Sequence, residues 1–192
     1  MRILPAQSGV TAVCETVCGF DDAYKHADAL AIAPYMGYTL GRGELKDHGP
    51  VAARWGVDRL LDDFEARAFP DSVARMKASK AVADRFGLRL VAYEGGQHMV
   101  ALTPDRALNE KLSGLFMEAN RHPRMGEIYT RYYDAWERAG GDLFATFASV
   151  AKWSVHGCWG LSEYADEPPS RCPKLRATLA WARRAGQAVP AV

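Results

Sequence analysis

The sequence predicts an α/β fold of about four βα units with parallel strands, a partial (half) (β/α)8 or TIM barrel. Three observations carry this. Short apolar runs recur at residues 2–6, 28–34, 88–94 and 142–150. Longer stretches between and after them place apolar residues at helical spacing. A doubly wound sheet would carry a Gly-rich phosphate loop after its first strand, and neither G-x-G-x-x-G nor G-x-x-x-x-G-K occurs there. Strands alternating with helices imply parallel pairing, and right-handed crossovers put the helices on one side of the sheet. A full barrel of eight such units is typically about 250 residues long.

Each element has a local reason. Residues 2–6 (RILPA) form a short apolar segment, followed by a turn-like or helical stretch through Asp21 and Asp22. Residues 28–34 (DALAIAP) read as a buried strand that stops at a proline. Residues 37–50 are Gly-rich and charged and read as a loop. Val57, Leu60, Leu61 and Phe64 mark a helix over 56–68, and Pro70 and Gly87 bracket a second over 70–86. Residues 88–94 (LRLVAYE) are the next strand, and 104–120 and 123–139 are two amphipathic helices, the latter ending at Gly140-Gly141. Residues 142–150 (DLFATFASV) read as a third strong strand, and 173–186 close the chain as a helix between Pro173 and Gly186.

The bulk numbers suit a single domain over residues 1–192. The chain is 48% hydrophobic and 24% charged, an ordinary globular composition. The formal net charge of +1 supplies no field to recruit nucleic acid or an anionic membrane, so neither is expected as a partner. No run approaches the ~18–20 apolar residues of a membrane span. The N-terminus MRILPAQSGVTAV is broken by Pro5 and Gln7 and does not read as a secretory signal, which leaves the compartment open. Cys14, Cys18, Cys158 and Cys172 match no zinc spacing; buried thiols or one disulfide are the expectation, with no metal and no cofactor.

Polar groups and flat aromatic rings collect where the strands end, which is where a (β/α)8 barrel keeps its function. The second strand runs into Tyr35 and Tyr38. The third runs into Tyr93, Glu94, Gln97 and His98. The last is followed by Trp153, His156, Trp159 and Glu163. Aromatic faces pack on the C–H faces of sugar rings, while carboxylates and amides take the hydroxyls, so this mix points to carbohydrate. Glu94 is the sharpest residue. A carboxylate at a strand end beside a tyrosine suits a glycosidase nucleophile or base, and Gly95 and Gly96 give the chain room to turn.

The stretches YEGGQH, APYMG, NRHPRMGEIY, and WGLSEY followed by PK resemble the C-terminal half of bacterial glycoside-hydrolase-like (β/α)8 proteins, often labelled cellulose-binding or cellulase-like. The resemblance covers nearly the whole chain, and EGGQH and WGLSEY are its more specific parts. It implies that 2–6, 28–34, 88–94 and 143–150 are the fifth to eighth strands. It also gives Glu94 the nucleophile place at the end of the seventh, and gives Trp153 or Trp159 the aromatic floor of a sugar subsite. The implied activity is hydrolysis of a β-linked glucan or related polysaccharide. In that clan the acid/base Glu ends the fourth strand, which the resemblance places ahead of this chain. Retaining hydrolysis needs two carboxyl groups about 5–5.5 Å apart. Glu163, Asp21 and Asp22 are the candidate substitutes, and Glu163 is the best placed because it follows the neighbouring strand. A sugar-binding module without turnover, or a truncated half-barrel without activity, is the alternative.

The remaining motifs read as structural. Ile128, Tyr132 and Trp136 follow i, i+4 spacing and belong to the core. Arg121, His122 and Arg124 bracket a helix start and anchor it. Lys46, Asp47 and His48 sit in the Gly-rich loop. No G-x-S-x-G elbow occurs. A half barrel leaves two sheet edges open, which predicts a homodimer that closes one pseudo-complete barrel.

Overall fold

The computed structural model describes residues 1–189. It is α/β with parallel strands. The elements in order are β1 (Ile3–Pro5), α1 (Thr11–Gly19), a 3₁₀ segment (Phe20–His26), β2 (Ala29–Ile32), β3 (Met36–Leu40), a 3₁₀ turn (Gly43–Leu45), α2 (Gly49–Ala52) and α3 (Val57–Asp63). A π-helical turn (Phe64–Ala68), α4 (Phe69–Arg85), β4 (Arg89–Ala92), β5 (Gln97–Ala101), α5 (Arg106–Arg121), α6 (Pro123–Arg138) and β6 (Gly141–Phe144) follow. A 3₁₀ turn (Pro169–Arg171) and α7 (Pro173–Arg184) complete the order. The chain divides into two compact units.

The first unit comprises Met1–Met36, Phe69–Gly96 and Tyr132–Phe147. Its sheet has the order β1-β2-β4-β6 and is parallel throughout. Leu30 pairs with Leu4 and Leu90, and Ala31 with Pro5 and Val91. The central strand β2 is wholly buried, as its unbroken apolar run requires. Pro5 lies on the edge strand β1, where a missing N–H leaves no ladder bond unmade. The α4 face carrying Met76, Ser79, Val82 and Ala83 is buried, and the helix packs on β2 and β4. Its stop is chemical. Gly87 adopts φ 67, its N–H donates to Asp84 O at 3.1 Å, and the Leu88 N–H donates to Ala83 O at 2.9 Å. That is the Schellman closure, which favours glycine at the left-handed position. The C-terminal half of α6 supplies Tyr132, Tyr133 and Trp136, whose rings surround Phe144 at centroid distances of 5.3–5.5 Å, all edge-on.

The second unit comprises Gly37–Ala68, Gln97–Arg131 and the chain from Ala148 onward. Here α5 packs on α3, α2, β5 and α7. The Asp105 carboxylate caps α5 by accepting from the Leu108 N–H at 3.1 Å. Strands β3 and β5 form a two-stranded sheet. They run the same way, since the Met36 N–H meets Gly96 O at one end and the Leu102 N–H meets Leu40 O at the other.

Four sequence expectations are corrected. Residues 37–50 are not all loop, because β3 occupies Met36–Leu40. Residues 97–101, beyond the strand expected to end at Glu94, form β5. Both strand pairs resume after a short break, and the glycines and charges around them masked the second stretch. The run 142–150 is a strand only to Phe144. From Ala148 the backbone pairs irregularly with 159–162, as in Leu161 N–H to Ala148 O at 2.8 Å. The expected break between the helices over 56–68 and 70–86 is absent. The π-helical turn shifts the hydrogen-bond register just before Pro70, which has no N–H to give.

Candidate functional site

The first unit holds the tightest cluster of nominated residues. After β2 the chain makes a three-residue turn centred on Pro34, closed by the Tyr35 N–H donating to Ala33 O at 2.8 Å. Proline's fixed φ suits the centre of such a turn. After β4 the ladder ends with the Tyr93 N–H on Ile32 O at 3.1 Å, and Tyr93 and Glu94 follow. The two breaks are therefore adjacent, at the C-terminal ends of neighbouring parallel strands, and the Tyr35 phenol feels the Glu94 carboxylate beside it. Burial, then the neighbouring Glu94 carboxylate, hold the Tyr35 phenol well above the ordinary tyrosine range. Tyr93 is raised by burial and by Glu94, yet its residue is 46% exposed, so its ring is available to a ligand.

Glycines shape this corner in two ways. Gly96 has φ 151, a conformation that favours glycine. At Gly95 the constraint is space, since a Cβ there would lie 2.5 Å from Phe144 Cζ and 3.0 Å from the Tyr132 hydroxyl. The Phe147 N–H donates to Gly95 O at 2.9 Å, and the Phe147 residue is 41% exposed. Sequence reasoning missed Phe147 as a candidate contact because it lay inside the run read as strand.

The chain matches no family model, no curated protein and no solved structure.

Tyr38, Gln97, His98, Trp153, His156, Trp159 and Glu163 lie in the second unit. Gln97 is buried with both ends of its amide hydrogen-bonded. Its Nε2 donates to Cys158 O at 2.8 Å, its Oε1 accepts from the Met99 N–H at 3.0 Å, and its own N–H donates to the Tyr129 hydroxyl. His98 is half-buried, and burial pulls its pKa down. Its Nδ1 accepts from Trp159 Nε1 at 3.3 Å, which places the proton of the neutral ring on Nε2. The two rings stand 5.8 Å apart. Tyr38 packs its ring edge against Phe64 and under the Arg67 guanidinium, and burial with the Asp63 charge raises its phenol far above the ordinary range. His156 is exposed at the tip of a tight turn between Ser154 and Gly157.

Trp153 and Glu163 are tied into the interior. The Trp153 ring is buried, takes the Arg121 guanidinium at 4.8 Å and the Lys174 ammonium at 4.6 Å, and donates from Nε1 to Gly160 O. Glu163, its side chain 10% exposed, is paired with Arg121. Arg124 binds Asp62 at 2.7 Å and Glu65 at 3.0 Å, and so anchors α6 to the segment before α4. An open groove of about 500 Å³ beside these pairs is lined by Glu65, Arg124, Glu127, Thr130 and Arg131 and contains none of the nominated residues.

Asp21 and Asp22, the other candidate substitutes, lie in the first unit. They adopt left-handed φ of 48° and 58° in the segment that enters β2, whereas Tyr35 follows its far end. Asp22 pairs with Lys25. All four cysteines are buried free thiols, and burial raises each of them. Among the described residues no group of three or more His, Cys, Asp or Glu is placed to hold a metal ion. No helix among them is long and apolar enough to cross a membrane.

Proposed function

We propose that the chain is a carbohydrate-active protein of the glycoside-hydrolase-like half-barrel type, with Glu94 as its catalytic carboxylate and a β-linked glucan or related polysaccharide as substrate. The observation that carries this reading is the convergence of Tyr35 and Glu94 at the ends of two adjacent parallel strands, with the Tyr93 ring exposed beside Glu94. Open parallel sheets bind ligands at the carboxyl ends of their strands. A phenol beside a carboxylate can orient the oxygen that attacks an anomeric carbon, and an exposed ring offers the flat face a sugar stacks on. The resemblance of YEGGQH and WGLSEY to glycoside-hydrolase-like proteins points the same way.

A barrel-forming half also explains the sheet. Its spatial order follows chain order, β1-β2-β4-β6, as consecutive βα units of a barrel do, and β1 and β6 are its two edges among the described residues. In this reading a second copy pairs β6 with β1 of its partner, twice, and closes the ring. Sedimentation at micromolar concentration tests this, and a monomeric mass rejects it.

A second reading, carbohydrate binding without turnover, is favoured by the commitment of Glu163, the candidate acid, to Arg121. Hydrolysis of β-glucans and aryl β-glycosides by wild type and Glu94→Gln separates the two. Catalysis by Glu94 predicts loss of about 10³-fold or more in the variant. Binding alone predicts no hydrolysis by either protein and similar retention of both on the polysaccharide.

A further inference from the structure

We propose that Ser72 and Tyr132 are positioning residues for the Tyr35–Glu94 pair. The Pro34 carbonyl, immediately before Tyr35, accepts from Ser72 Oγ at 3.0 Å and from the Tyr132 hydroxyl at 2.6 Å. Ser72 comes from α4 and Tyr132 from α6, and both are completely buried. A carbonyl oxygen has two lone pairs, and two hydroxyls occupy them here.

The arrangement fixes the turn from three sides. The Tyr35 N–H closes it onto Ala33 O at 2.8 Å. Pro34 restricts its own φ and has no N–H through which the chain could re-pair. Rotating the peptide after Pro34 would strand one carbonyl and two hydroxyls in a site without solvent, which is strongly disfavoured. The same Tyr132 hydroxyl also reaches the other strand end, where only the absence of a Cβ at Gly95 lets it fit beside the residue that follows Glu94. One side chain thus touches the backbone next to both members of the pair. Tyr132 and Ser72 act through Tyr35 and Glu94, without contacting a substrate.

The inference rests on the carbohydrate reading for its consequence on turnover, and on geometry alone for the positioning itself. The test uses Ser72→Ala, Tyr132→Phe and Tyr35→Phe in the full chain, with circular dichroism to verify folding. The first readout needs no activity. The Tyr35 ring resonances, assigned by their loss in Tyr35→Phe, shift when Glu94→Gln is introduced. That response is expected to fall by about half or more in the Tyr132→Phe background, and to fall in Ser72→Ala if the tyrosine variant does not fold. A response as large as in wild type overturns the proposal. The second readout is kinetic. Tyr132→Phe is expected to lower kcat about tenfold with KM nearly unchanged, and to have little further effect once Tyr35 is Phe. Fully additive losses also overturn it. Absence of hydrolysis in wild type rejects the glycosidase reading and leaves the resonance experiment to decide positioning.

Discussion

The Lys174 ammonium lies 2.6 Å from the Cys158 carbonyl oxygen and 4.6 Å from the centre of the Trp153 ring, on a residue with no solvent exposure. Burial lowers its pKa from 10.5 to about 7, opposed by the nearby Cys158, Cys172 and Glu167. The folded chain therefore holds the neutral amine in a range where the unfolded chain keeps the proton. Unfolding takes up a proton above about pH 7, so stability rises with pH from there. Above about pH 9 the thiols oppose the trend, because Cys158 and Cys172 are raised to about 11 and release their protons more readily when unfolded. The urea midpoint of wild type is expected to climb between pH 7 and 9, by about 2 kcal/mol in stability. In Lys174→Met this rise disappears and stability at pH 7 is maintained, since Gln97 still donates to the Cys158 carbonyl. Parallel curves for the two proteins would assign the pH dependence to other groups.

Arg121 and Glu163 separate a structural from a chemical role. Arg121 pairs with a carboxylate that is 10% exposed and packs on Trp153. Arg121→Ala is expected to lose about 2–3 kcal/mol, because it leaves Glu163 buried without its partner. Glu163→Gln keeps an acceptor and leaves a half-exposed guanidinium that water can reach, so the loss is about 1 kcal/mol. Thermal melts measure both. A Glu163→Gln protein that melts like wild type yet loses all hydrolysis would make Glu163 the missing acid.

Gly95 reports on the packing under the strand break. Gly95→Ala is expected to destabilise by about 1–3 kcal/mol through its clash with Phe144 and Tyr132. Phe144→Leu alone also destabilises, by trimming a ring held among Tyr132, Tyr133 and Trp136. Combined, the two should cost less than their sum, because the smaller side chain makes room for the new methyl. Denaturant melts of the four proteins close the cycle, and strict additivity would place the clash elsewhere.

Much of the helical layout was legible from short-range chemistry. Pro173 starts α7, and the stop of α4 at Gly87 was read directly from the sequence. Asp105 caps α5 by a bond to a residue three positions away. The strands were legible as apolar runs, but their limits were not. DLFATFASV looks uniform, yet it is a strand only to Phe144, Ala145 and Phe147 bond to Ala92 and Gly95, and from Ala148 the chain pairs with 159–162. Strand extent depends on a neighbour that no local pattern contains.

The candidate site divides in the same way. By itself, the sequence determined that a glutamate follows a buried strand, that tyrosines flank it and that two glycines release the chain beyond it, because apolar periodicity and glycine chemistry are local. The tertiary structure alone decided that Tyr35 meets Glu94, and that Tyr132 reaches Pro34 across 98 positions. It also decided that Gln97, Trp153 and Glu163 are held by buried amide, cation and ion-pair contacts. Which polar group finds a partner inside a protein is set by residues far away in the chain, and burial makes those partners obligatory.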